Sequence, residues 1–223
     1  MKIKGAIFDM DGTLVESLWF WDYLWQKTGE KYFNDKNFKP SDDVNLQIRT
    51  SIFKDAMEIV AIKSNIPCSP SEYVEFAVFE MEEFYRHHAT MKDGAIELLD
   101  YLNSNGVLCC LATATSIPHV EIMLERYNLS KYFKGVLSCA TLGVGKDKPY
   151  IYEKAIELLN LPASDCVVVE DSFIAIESAK LTGAKTIGVF DKYAFNHERL
   201  KASSDYYIDN GENLLKIKGI IEF

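Results

Sequence analysis

Ile-Lys-Gly-Ala-Ile-Phe-Asp-Met-Asp-Gly-Thr, residues 3–13, sets an apolar run against two aspartates and a glycine. The run, Ile3 to Asp9, is apolar at consecutive positions. That pattern describes a strand covered on both faces, as in a parallel sheet. Similar short runs follow at Val107–Thr113, Gly135–Cys139, Cys166–Glu170 (CVVVE), Lys185–Val189 (KTIGV) and Tyr206–Ile208. Helical segments separate them. Lys92–Asn105 stops at Gly106 and Ser172–Thr182 stops at Gly183, both C-terminal glycine signals. Pro149 opens a helix that ends before Pro162, and Ser116 is a candidate N-cap for a helix reaching Asn128. Strand–helix alternation predicts βαβ units with right-handed crossovers, hence an α/β doubly wound parallel sheet.

One stretch breaks the alternation. Glu16 to Thr90 carries no convincing strand and reads as three or four helices. The expected organisation is therefore a Rossmann-like core from residues 1–15 and 92–223, with an inserted all-helical module over 16–91. No internal repeat or long like-charge run is evident.

Composition narrows the function. The chain has 223 residues, 24 of them basic and 33 acidic, for a net charge of −9. Nucleic-acid binding is disfavoured, because phosphate backbones are held by clustered Lys and Arg. No apolar run approaches the roughly 20 residues that cross a bilayer, and the N-terminus lacks a signal-peptide core. The expectation is a cytoplasmic monomer with no membrane partner. Cys68, Cys109, Cys110, Cys139 and Cys166 form no CxxC pair, which disfavours zinc and redox motifs and suits reduced thiols.

Ligands of open parallel sheets bind at the carboxyl ends of the strands. The first strand ends on Asp9-Met10-Asp11-Gly12-Thr13 and the second on Thr113-Ala114-Thr115-Ser116. Gly145-Lys146-Asp147-Lys148-Pro149 follows the third, and the fourth ends on Glu170-Asp171-Ser172. Carboxylates, hydroxyls and a lysine thus converge on one edge, and the carboxylates require a cation. Oxygen ligands favour Mg²⁺, so the pattern points to metal-assisted phosphoryl transfer. Asp9 can attack phosphorus and Asp11 can protonate the leaving oxygen. Thr113 and Lys148 can hold the phosphoryl oxygens.

These motifs, DMDGT at 9–13, LAT at 111–113, KP at 148–149 and VVEDS at 168–172, resemble the haloacid dehalogenase-like hydrolases. The insert resembles the small helical cap of their phosphoglycolate phosphatase and β-phosphoglucomutase branch. The resemblance implies Asp9 as nucleophile, Asp11 as acid/base, and Thr113 and Lys148 as phosphate ligands. It also implies Mg²⁺ on Asp9, the Asp11 carbonyl and Asp171, with Glu170 orienting or joining that shell. Thr13, Ala114, Phe20 and Trp21 are the expected substrate contacts. Thr115 is the substitute for Thr113, and Lys146 is read as a solvated loop charge.

In the insert, Trp19, Trp21 and Trp25 are read mainly as packing, with Phe20 or Trp21 as a pocket wall. His87, His88, His119 and His197 lack metal-ligand spacing and are read as surface residues. Lys39, Arg49, Lys54 and Arg86 are either solvated or anion contacts. The expected activity is a Mg²⁺-dependent phosphatase acting on a small phosphate ester such as a sugar phosphate. A mutase of the β-phosphoglucomutase type is the alternative. A histidine that such mutases carry early in the cap is absent here, where Trp21 takes its position. Asp11 argues against a dehalogenase, and the intact motifs argue against a catalytically silent protein.

Overall fold

The computed structural model describes residues 1–48 and 53–222. Two compact units result: residues 1–18 with 89–223, and residues 19–88.

The first unit is built on a parallel sheet. Its strands are β1 (Gly5–Phe8), β4 (Leu108–Thr113), β5 (Phe133–Ser138), β6 (Cys166–Glu170), β7 (Lys185–Val189) and β8 (Tyr206–Ile208), in the order β5-β4-β1-β6-β7-β8. β1 is central, and the strand order reverses beside it, which is where a doubly wound sheet opens a crevice. Two short strands, β2 (Val15–Glu16) and β3 (Thr90–Met91), pair antiparallel in a separate ribbon. This ribbon departs from the strand-free reading of Glu16–Thr90. Each of its strands is two residues long, too short to leave a periodic signal.

The sheet is covered by α5 (Ala95–Ser104), α6 (Ile117–Arg126), α7 (Cys139–Leu142), α8 (Tyr150–Leu159), α9 (Phe173–Lys180) and α10 (His197–Ser203). One core layer joins Ile7, Cys110, Cys166 and Val168 of the strands to Ile151, Tyr152, Ala155 and Leu159 of α8. Burial on consecutive strand positions follows, since Phe8, Leu111 and Val169 are buried too. Cys109, Cys110 and Cys166 are free and buried, and burial pushes each thiol up, to about 12, 12 and 11.

The second unit contains α1 (Phe20–Thr28), α2 (Asp42–Ile48), α3 (Phe53–Lys63) and α4 (Pro70–His87) among the described residues. α1 runs on into a π-helical turn, Gly29–Phe33. α4 begins with a reciprocal capping box, in which Ser69 Oγ accepts from Glu72 N and the Glu72 carboxylate accepts from Ser69 N. The interior is aromatic. Phe84 is fully buried, with its ring centroid 4.6 Å from Trp19, 5.3 Å from Phe20 and 5.4 Å from Tyr23. Phe20 is thus a core residue of the helical unit. Trp21 is half-buried, 5.6 Å from Trp25 and 6.2 Å from Phe53. Lys39, Lys54 and Arg86 are exposed, and Arg49 lies outside the described residues.

Candidate active site

The register of the sheet brings the acidic residues together. Gly5 to Phe8 pair with Leu108 to Leu111 on one side and with Cys166 to Val169 on the other. Asp9 N then donates to Val169 O (3.0 Å), so the chain leaves the sheet level with Glu170. It turns at once: Met10 O accepts from the amides of Thr13, Leu14 and Val15, and Gly12 N donates to Val15 O. Gly12 has φ +78°, and a Cβ there would stand 2.6 Å from Asp171 Oδ2. Only glycine combines that backbone with so close an approach of the carboxylate.

Asp9, Glu170 and Asp171 are buried, and one oxygen from each lies within 4.8 Å of the others. Burial raises the Asp9 carboxyl from 3.8 to about 8; Lys146 pulls it down, while Glu170 and Asp11 push it further up. Asp171 is likewise raised, by burial first and then by the charges of Glu170 and Asp9. Such a cluster holds its charges only with a compensating cation. Its donors are all hard oxygens, so they fit Mg²⁺.

Lys146 supplies part of that compensation. Its ammonium contacts both Asp9 Oδ1 and Glu170 Oε1, and its side chain is 12% exposed. Burial opposes its charge, but Asp9 and Glu170 raise its pKa well above the ordinary lysine value. The structure departs from the reading of Lys146 as a solvated loop charge: Lys146 is the partly buried partner of the carboxylates, whereas Lys148 is exposed. The reason is a turn, Gly145 to Lys148, closed by Lys148 N on Gly145 O (3.4 Å). It leaves Lys146 inward and Lys148 outward. The useful signal was the lysine three positions before the helix-opening proline, not the one beside it.

Glu170 is saturated by donors. Oε1 accepts from Lys146 and from the Tyr152 hydroxyl (3.0 Å), and Oε2 accepts from Ser172 N (3.1 Å). Burial and the nearby charges of Glu170 and Asp9 hold the Tyr152 hydroxyl far above the usual tyrosine range, so it remains a donor.

Asp11 is held separately. Ser17 Oγ donates to one carboxylate oxygen and Thr115 Oγ1 to the other, each at 2.6 Å. Neither hydroxyl was assigned this part from sequence. Thr113 ends β4 fully buried, and its Oγ1 accepts from Thr115 N (3.0 Å). Ala114 is exposed beside it. Thr13, an expected substrate contact, is fully buried, and its hydroxyl is directed at Asp171 Oδ1 (3.5 Å). Ser116 takes the N-cap position of α6 without capping it. Its hydroxyl pairs instead with His119 Nδ1 (2.9 Å).

Known proteins resemble this chain in sequence and in fold. The family model described as haloacid dehalogenase-like hydrolase matches residues 3–183. A phosphorylated carbohydrates phosphatase of Thermotoga maritima is 26% identical over 83% of this chain and 84% of its own. Hexitol phosphatase A of Escherichia coli is 26% identical over 85% and 84%. Among solved structures, one described as a β-phosphoglucomutase of Thermotoga maritima shares the fold with a TM-score of 0.81, at 24% identity over 99% of this chain and 100% of that one.

Proposed function

This chain belongs to the haloacid dehalogenase-like hydrolases, and from that premise we propose that it is a phosphatase releasing phosphate from a small phosphorylated carbohydrate through a phosphoryl-Asp9 intermediate. The observation that carries the reading is the buried carboxylate group Asp9, Glu170 and Asp171 with the Lys146 ammonium on two of its members, and Asp11 two residues from Asp9 and oriented by other partners. The two phosphatases just described support a carbohydrate phosphate as the substrate class.

In the first half-reaction an Asp9 oxygen attacks phosphorus, the ester P–O bond breaks, and Asp11 gives its proton to the departing alkoxide. Water attacks the acyl phosphate in the second half, Asp11 takes its proton, and phosphate leaves. Lys146 neutralises Asp9 before attack and the phosphoryl oxygens afterwards. Thr113, whose Oγ1 already accepts a backbone N–H, keeps its hydroxyl hydrogen for a phosphoryl oxygen. Asp9, Asp171 and the main-chain carbonyl of Asp11 would hold Mg²⁺, which supplies neutralising charge for carboxylates and phosphate alike. Glu170 serves this group by fixing Lys146.

The test is phosphate release from a panel of hexose, pentose and hexitol phosphates and p-nitrophenyl phosphate, with Mg²⁺ and with EDTA. Mg²⁺-dependent release, strongest for phosphorylated carbohydrates, is expected. Conversion of β-glucose 1-phosphate to glucose 6-phosphate with little free phosphate would overturn the hydrolytic assignment.

A further inference from the structure

We propose that Tyr152 is a positioning residue for phosphate capture: its hydroxyl fixes the Glu170 carboxylate, and through it the Lys146 ammonium. The inference rests on the phosphatase reading above. Tyr152 lies on the face of α8 that packs into the sheet, among Ile151, Ala155 and Leu159. It is fully buried. Packing alone at such a position is satisfied by phenylalanine, whereas a buried tyrosine must find a partner for its O–H. The partner is Glu170 Oε1 at 3.0 Å, the same oxygen that receives Lys146.

This sharing has a directional consequence. Lys146 stands between two carboxylates, Asp9 and Glu170. A hydroxyl hydrogen on Glu170 Oε1 offsets part of that oxygen's charge, an effect enlarged in a low-dielectric interior. Glu170 then attracts the ammonium less strongly, and Lys146 remains available to Asp9 and to an arriving phosphoryl group. Ser172 N holds the second oxygen of Glu170, so the carboxylate plane is set from both ends. Without the hydroxyl, Oε1 would keep only the lysine, and the lysine would be drawn towards Glu170.

The experiment compares the full-length chain with Tyr152→Phe, reading kcat and KM for p-nitrophenyl phosphate in Mg²⁺, the orthophosphate dissociation constant by calorimetry, and the melting midpoint. Loss of one hydrogen bond to a charged group should lower kcat/KM about tenfold and weaken orthophosphate binding by a similar factor. Removing a merely structural hydroxyl would shift the midpoint without weakening orthophosphate binding. Combined with Glu170→Gln, Tyr152→Phe should add less than about a twofold further loss, because both changes act on one contact. Unchanged kcat/KM and phosphate binding, or fully additive losses, would overturn the proposal. Tyr152→Met gives the same readouts if the phenylalanine variant does not fold. Absence of turnover in the unmodified chain would sink the phosphatase reading, and the orthophosphate comparison would still decide the role of Tyr152.

Discussion

The carboxyl edge of the sheet and the interior of the helical unit bury opposite kinds of side chain. At the carboxyl edge of the sheet, Asp9, Glu170 and Asp171 are less than a tenth exposed, and the Lys146 ammonium contacts two of them. In the helical unit, the most buried side chains include Leu24, Met57, Tyr73 and Phe84, and the Thr28–Tyr73 hydroxyl pair (2.9 Å) is neutral. Apolar burial stabilises in proportion to area, whereas buried like charges must be opposed by partners. The helical interior is therefore arranged for cohesion. The sheet edge holds an arrangement that is unfavourable by itself, in keeping with the proposed binding and reaction there.

The contrast is sharpened most by Asp9→Asn. Turnover should fall by about 10⁴-fold or more, since an amide cannot form the acyl phosphate. The melting midpoint should hold or rise, because the change relieves repulsion from Glu170, Asp11 and Asp171. Steady-state kinetics and calorimetry on one sample check both, and a midpoint lowered by roughly 10 °C would break the contrast. Phe84→Ala tests the other region. It should cost about 3–5 kcal/mol in chemical denaturation, as for a fully buried aromatic, and a loss under about 1 kcal/mol would show that the aromatic cluster does not carry the helical unit.

Smaller effects separate residues within the sheet edge. Lys146→Ala should lower kcat/KM by about 10²–10³-fold, and Lys148→Ala by less than about twofold. Equal losses would erase the distinction drawn from burial. Ser17→Ala and Thr115→Val should each cost about tenfold in kcat, by freeing one oxygen of Asp11. The smallest effect concerns pH. Burial raises the Asp9 carboxyl from an ordinary 3.8 to about 8 in the metal-free fold. Its contribution to stability is full below the lower value and is lost as pH rises through the higher one. With EDTA present, the melting midpoint should therefore fall by a few degrees between pH 5 and 8, and Asp9→Asn should flatten that slope.

Much of the sheet was legible because its central strands are short, consecutive apolar runs. Cys166–Glu170, Lys185–Val189 and Tyr206–Ile208 have the bounds expected of them. The acidic members of the site were legible for a related reason: each terminates such a run. What remained hidden depends on turns and on convergence from distant elements. Lys146 and Lys148 differ by a single turn that composition does not express. Ser17 and Thr115 meet only at Asp11, and Tyr152 resembles any apolar member of a helix face until Glu170 is set beside its hydroxyl. The two-residue strands β2 and β3 are recognisable only by each other.

That pairing bears on how such a chain diversifies. Val15 lies opposite Met91 and Glu16 opposite Thr90, so the helical segment departs from the sheet unit and returns to it through adjacent positions. Neighbouring strands stand about 4.8 Å apart, and a segment with ends that close is inserted much as a loop is inserted into a hairpin. Another segment of similar end spacing would meet the same requirement at Val15 and Met91. The geometric demand on the insert is thus confined to its two ends, whatever its length, composition and helix number.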